Sequence, residues 1–130
     1  MLITDYYTIN SKTEKDGKTI FLIQLNADSD VYNGHFPNNP VSPGVCNVQM
    51  IVECASLISG VELTIKSIKR CRFLNVVKPS DNKTYTIEIE LEKIDNGFSI
   101  IANMLDDNNL CIDLKACGDK RPAADERLRR

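Results

Sequence analysis

The sequence predicts an α+β domain in which one buried helix is wrapped by a curved antiparallel sheet of five to seven strands. Three observations carry this expectation. Residues 44–60, GVCNVQMIVECASLISG, are apolar almost throughout over a helix-length run, and such a helix must be covered on most sides. In residues 84–92, Tyr85, Ile87, Ile89 and Leu91 alternate with Thr86, Glu88, Glu90 and Glu92, the period-two pattern of a half-buried strand. Short Asp/Asn/Gly clusters then separate successive apolar runs, as in an antiparallel meander.

Taken in order, a weak strand is expected around Tyr6–Ser11, followed by the hairpin-type turn Lys15-Asp16-Gly17 and a strong strand from Lys18 to Ala27. Residues 28–43 are irregular and rich in Asp, Asn, Gly and Pro. The helix occupies 44–59, with Gly60 suited to its C-terminal cap. Residues 63–77 form one long strand or two joined pieces, and Pro79-Ser80-Asp81-Asn82 is a turn. After the alternating strand come the hairpin turn Asp95-Asn96-Gly97, a strand over 98–105, the turn Asp106–Asn109 and a last strand over 110–117. Residues 1–117 are expected to form a single domain. The tail 118–130, GDKRPAADERLRR, lacks an apolar face and is expected to fray in solvent. A sheet with unblunted edges tends to pair with another chain, so a dimer is expected.

Hydrophobic residues make up 42% and charged residues 26%, which argues against disorder. No apolar run approaches the ~20 residues of a membrane span. The first ten residues have neither a basic segment nor an apolar one of the kind that opens a secretory signal. The formal net charge of −2 is a poor balance for a nucleic-acid binder. The basic residues are nonetheless clustered: Lys66, Lys69, Arg70, Arg72 and Lys78 fall in one acid-free stretch. The bland reading of that stretch is a solvated strand face. The alternative is contact with an acidic partner, with Lys66, Arg70 and Arg72 sharing one face with Ile68 and Leu74. Five cysteines, none in a C-x-x-C pair, and a single histidine leave no zinc site of ordinary spacing. The cysteines read as reduced core thiols of a cytoplasmic protein.

Chemistry concentrates in residues 33–53, NGHFPNNPVSPGVCNVQMIVE. Pro37, Pro40 and Pro43 recur every third residue and stiffen an extended loop. Ser42 is expected as the helix N-cap, Pro43 at the first helical position and Gly44 at the second. Gly44 and Val45 then present free N–H donors, and Gly44 has no side chain to block an approaching carbonyl. His35 is either a loop histidine with a satisfied ring or a general base near pH 7. Gln49 and Glu53 stand one helical turn apart, and Ser56 continues the stripe. Glu53 is the only charge between Pro43 and Gly60. It is either held structurally by Gln49, Ser56 or a partner chain, or a working acid.

The run Gly34-His35-Phe36-Pro37-Asn38-Asn39-Pro40-Val41-Ser42-Pro43-Gly44-Val45 resembles the G-H-F-P-x-x-P-x-x-P-G-V signature of the β-hydroxyacyl-acyl-carrier-protein dehydratases of the hot-dog fold, matched at every fixed position. Cys71-Arg72-Phe73 and Val76-Val77-Lys78-Pro79-Ser80-Asp81 are similar to a second family stretch, A-R-F…P-V-V-P-G-D. The looser likeness covers roughly residues 15–117. The resemblance implies a homodimer or a higher oligomer of dimers, with sites at the subunit interface. It implies His35 as the base that takes the α-proton and the Gly44 N–H as the holder of the thioester carbonyl. It implies a substrate carried on the phosphopantetheine of an acyl carrier protein, with no other cofactor.

The family's helix acid departs from the pattern. Its position, fourteen residues after the histidine, is Gln49, while Glu53 stands where the family often has glutamine. The expectation is therefore a dehydratase-like enzyme using His35, Gly44, Gln49 and Glu53. The alternatives are an acyl thioesterase on the same scaffold and a non-catalytic carrier-binding subunit. Phe36, Pro43, Val45 and Phe73 are expected to line the acyl tunnel, and Lys66, Arg70 and Arg72 to dock the acidic carrier.

Overall fold

The computed structural model describes residues 5–32, 41–80 and 83–121. The expected sites His35 and Phe36, and the first two loop prolines, lie outside the described residues. Six antiparallel strands form one sheet: β1 (Tyr7–Lys15), β2 (Lys18–Leu25), β3 (Leu63–Phe73), β4 (Tyr85–Ile94), β5 (Gly97–Asp106) and β6 (Asn109–Lys120). Their spatial order is β1-β2-β4-β5-β6-β3, which leaves β1 and β3 as edges. The helix α1 (Gly44–Ser59) packs against β3 and β4. The α+β expectation and its strand number are met.

The sheet's inner face is apolar at alternate positions. Phe21, Ile23 and Leu25 of β2, Tyr85, Ile87 and Ile89 of β4, Ile100 and Met104 of β5, and Ile112 and Leu114 of β6 are all fully buried. Against them lie Met50, Ile51, Cys54 and Ala55 of α1. The turn between β1 and β2 is built on Asp16 (φ 54°) and Gly17 (φ 80°), the left-handed pair that a two-residue hairpin favours. Gly60 closes α1 with φ 79° and donates its N–H to the Ser56 carbonyl.

Several boundaries differ from the sequence reading. The first strand is nine residues long rather than a weak stub. It pairs with β2 along its whole length, with a bulge between Ile9 and Ser11. The expected strand 63–77 ends as β3 at Phe73. There the chain leaves the ladder, because the N–H groups of Leu74 and Asn75 turn to the Cys111 carbonyl. Val77 then accepts the Ser42 N–H, which draws this segment over the start of α1. The last strand continues to Lys120, past the expected end at 117, because it pairs with β3 as far as Leu63. Arg121 extends the contact by donating its N–H to the Glu62 carbonyl. Of the five cysteines, Cys54 and Cys111 are buried and Cys46, Cys71 and Cys117 half-buried; all are free thiols. Among the described residues no helix is long and apolar enough to cross a membrane.

Candidate active site

The start of α1 is held from below by tyrosines. Tyr6 donates its hydroxyl to Asn47 Oδ1 at 2.6 Å, and the hydroxyls of Tyr32 and Ser42 share a hydrogen bond of 2.7 Å. The Tyr6 and Tyr32 rings stack with centroids 6.1 Å apart. Burial pushes the phenol pKa of both tyrosines up, so they remain neutral hydrogen-bonding groups.

This cluster changes the expected cap. Ser42 does not cap the helix, because its hydroxyl is drawn to Tyr32 and its N–H to Val77. Pro43 is the N-cap instead, with extended backbone (φ −63°, ψ 138°), and its carbonyl accepts the Asn47 N–H. Gly44 and Val45 thereby become the first two helical residues. Their N–H groups have no acceptor among the described residues, as helix geometry requires of the first turn. A cleft of about 520 Å³ opens in front of them, lined by Gly44, Val45, Phe73, Val76 and Val77. The Phe73 ring lies over Gly44 so closely that a Cβ there would sit 2.8 Å from it. The structure therefore brings Gly44, Val45 and Phe73 together, with Pro43 adjoining as the cap.

Gln49 and Glu53 occupy another side of the helix. They line a separate groove of about 320 Å³ with Ser56, Leu57, Val61 and Leu63. Glu53 is 5% exposed and accepts two hydrogen bonds, from the Tyr7 hydroxyl (3.0 Å) and from Gln49 Nε2 (3.1 Å). Ser56 is not its partner: that hydroxyl donates to the Val52 carbonyl and accepts the Leu63 N–H, tying α1 to β3. Burial first, and then the neighbouring Cys54 and Glu53, push the Tyr7 pKa up and keep it a donor. Cys54 next to it is likewise pushed up to about 12, chiefly by burial. The Gly44 cleft and the Gln49–Glu53 groove thus do not share a depression.

The three basic residues expected to dock a carrier all lie on β3 and all face acids of β6. Arg70 Nε and Arg72 Nε approach Asp113 Oδ2 at 2.9 and 3.0 Å, and Lys66 lies 3.6 Å from Asp119. Bulges at Ile65/Ser67 and Ile68/Arg70 break the period of two. Arg70 and Arg72 fall opposite Lys115 and Asp113 on the outer face, while Ile68 falls opposite Ala116 on the inner one. The expected sharing of a face by Arg70, Arg72 and Ile68 is therefore wrong. Asp113 is covered by its two arginines. Its pKa is held below the usual carboxylate range by the hydrogen bond from Arg72 first and also by Arg70, against a smaller opposing effect of burial.

Sequence reasoning missed Tyr6, Tyr7, Tyr32, Asn47 and Asp113. One signal was available: a carboxylate on a buried helix calls for buried donors, and tyrosine is the apolar-bodied residue that supplies one.

One helix crossed by a six-stranded antiparallel sheet, with an open helix N-terminus at a cleft, defines a hot-dog protein. A structure of the dehydratase heterocomplex ApeI:P from Xenorhabdus doucetiae shares this fold, with a TM-score of 0.69 at 16% identity over 87% of this chain and 97% of that one. The dehydratase domain of the CurJ module of the curacin polyketide synthase matches with a TM-score of 0.54 at 16% identity, over 93% of this chain and 46% of that one. The chain belongs to the ApeI-like dehydratase family, whose model matches residues 11–112. It is also similar to 3-hydroxyacyl-[acyl-carrier-protein] dehydratases named FabZ. The protein from Ligilactobacillus salivarius is 33% identical over 90 residues, 64% of this chain and 63% of that protein. The one from Variovorax paradoxus is 31% identical over 96 residues, 66% of this chain and 63% of that protein. The chain thus spans rather less than two thirds of the length of these curated relatives.

Proposed function

We propose that this protein dehydrates β-hydroxyacyl thioesters presented on the phosphopantetheine arm of an acyl carrier protein. The observation that carries this reading is the Gly44 N–H, unpartnered among the described residues at the start of α1 and facing a cleft beside Phe73, directly after the loop that holds His35. An N–H at a helix N-terminus stabilises the negative charge that develops on a thioester oxygen when the α-proton leaves. His35 takes that proton, and the freed electron pair forms the Cα–Cβ double bond as the Cβ–O bond breaks. Gln49 has no acidic proton, and both Glu53 oxygens accept hydrogen bonds. We therefore assign the proton that leaves with the hydroxyl to the His35 imidazolium. Water departs and the neutral imidazole is restored.

Gly44 and the Gln49–Glu53 pair face different depressions, which favours a site shared between two chains, with His35 and Gly44 from one and Gln49 and Glu53 from its partner. A homodimer joined along the β3 edge meets this need. The edge carries Ile68 and Phe73, and Val45 and Leu57 of α1 are also exposed. The other edge, β1, carries exposed Lys12, Glu14 and Lys15 and none of the exposed large apolar side chains.

The test is to incubate purified protein with a β-hydroxyacyl thioester and to follow both the conjugated enoyl product and free thiol. Enoyl product is expected, and His35→Ala is expected to lower its rate by about 10²–10⁴-fold. Thiol without enoyl product would make the protein a thioesterase. Release of neither would make it a carrier-binding subunit.

A further inference from the structure

Gln49 stands where the family resemblance calls for an acid, and its surroundings define what it offers instead. A carboxylate can only accept hydrogen bonds, so the Gln49 carboxamide must turn its NH₂ toward Glu53, as the 3.1 Å contact records. Its carbonyl oxygen then lies at the other end of the carboxamide, on a side chain exposed in the groove. Glu53 is itself fixed: it is 5% exposed, and its second oxygen is held at 3.0 Å by Tyr7, whose ring is buried against the core. The chain Tyr7 O–H to Glu53 to Gln49 thus runs from the core to the groove, with a donor on each Glu53 oxygen.

Resting on the dehydratase reading above, we infer that Glu53 and Tyr7 are positioning residues, and that Gln49 is the group that meets the substrate, accepting a hydrogen bond from its β-hydroxyl through the carboxamide oxygen. Glu53 then contributes no proton to the reaction. It fixes which end of Gln49 faces the substrate. The pair is specific for a hydroxyl: a saturated acyl chain has nothing to donate and leaves the Gln49 oxygen unmatched. Tyr7, in the first strand, becomes part of the selectivity of a groove that it does not line.

The measurement is binding by calorimetry of two unreactive pantetheine amides, 3-hydroxyoctanoyl and octanoyl, to the full-length protein. The wild type is expected to prefer the hydroxylated analogue by about fivefold to tenfold, the worth of one hydrogen bond. Glu53→Gln frees Gln49 to turn over, and Gln49→Leu removes the acceptor. Each should bring the preference close to unity with the octanoyl analogue still bound, which a general loss of structure would not do. Tyr7→Phe keeps the ring in the core and should reduce the preference about twofold to threefold. Equal binding of both analogues by the wild type, or an undiminished preference in Glu53→Gln, would overturn this inference while leaving the dehydratase reading intact. Binding of neither analogue would overturn both.

Discussion

At the scale of single residues, Asp113 decides how the basic strand can be interpreted. Arg70 and Arg72 are about half-exposed, yet both converge on this one carboxylate, whose side chain is 7% exposed. Replacing both arginines with alanine therefore removes charge from the surface and also takes both partners from this acid. A rise in KM for a carrier-bound substrate in that double variant would not separate docking from structural loss. Adding Asp113→Asn does so. The double variant is expected to lose about 1 kcal/mol of stability or somewhat more, and the triple variant to recover most of it in chemical denaturation. If the arginines dock the carrier, the triple variant still shows a raised KM for carrier-bound substrate and an unchanged one for a carrier-free mimic. The same carboxylate sets a pH dependence. Its folded pKa lies below its unfolded one, so the stability it contributes is complete above the ordinary carboxylate pKa of about 3.9 and is lost as pH falls through the lowered folded value. Melting temperatures followed from about pH 6 down to pH 2.5 should fall less steeply in Asp113→Asn than in the wild type.

Among the elements, those with a single strong period were legible in the sequence, and those governed by long-range hydrogen bonds were not. The alternation from Tyr85 to Leu91 and the apolar run of α1 each define an element without reference to anything else. The bulges in β3 leave no local trace, because they answer to the register of β6 across the ladder. For the same reason the site was half legible: the motif located Gly44, but the cap moved from Ser42 to Pro43 because Tyr32 and Val77, distant in sequence, claim both Ser42 groups. The β4–β5 hairpin shows how strictly such contacts bind. Asp95-Asn96-Gly97 reads as a turn by composition alone, yet the requirement for glycine comes from β6. Gly97 has φ 147°, and a Cβ there would overlap the Gly118 carbonyl oxygen. Gly97→Ala is expected to cost about 3 kcal/mol, from the backbone conformation and the overlap together. Gly17→Ala, in a turn with open space around it, should cost only about 1 kcal/mol. Urea midpoints of the two variants provide the comparison, and similar midpoints would show that the β5–β6 contact yields easily.

For the whole molecule, the unresolved surface problem is apolar. Among the described residues, seven large apolar side chains are exposed, and six of them (Val45, Leu57, Ile68, Phe73, Leu74 and Val76) belong to α1, to β3 or to the segment just after it. Four of them, Val45, Phe73, Leu74 and Val76, line the Gly44 cleft, and exposed apolar side chains gathered beside an open strand edge mark an association surface. The Gly44 cleft and the Gln49–Glu53 groove, which the proposed function divides between two chains, both open on this helix. With a site shared between two chains, assembly and activity are expected to fail together. Ile68 is the position to change: it is 52% exposed, sits mid-strand on the β3 edge, and lies across from Ala116 without filling the core. Ile68→Glu places a charge within the proposed joint while leaving the domain's own packing intact. Light scattering at micromolar concentration should show a dimer for the wild type and a monomer for Ile68→Glu, with the same far-ultraviolet circular dichroism. Enoyl formation should fall at least tenfold in the monomer and should recover as protein concentration is raised, because the loss lies in association rather than in chemistry. A wild-type protein that is monomeric at those concentrations and still active would place the whole site within one chain, and the separation of the two grooves would then need another explanation.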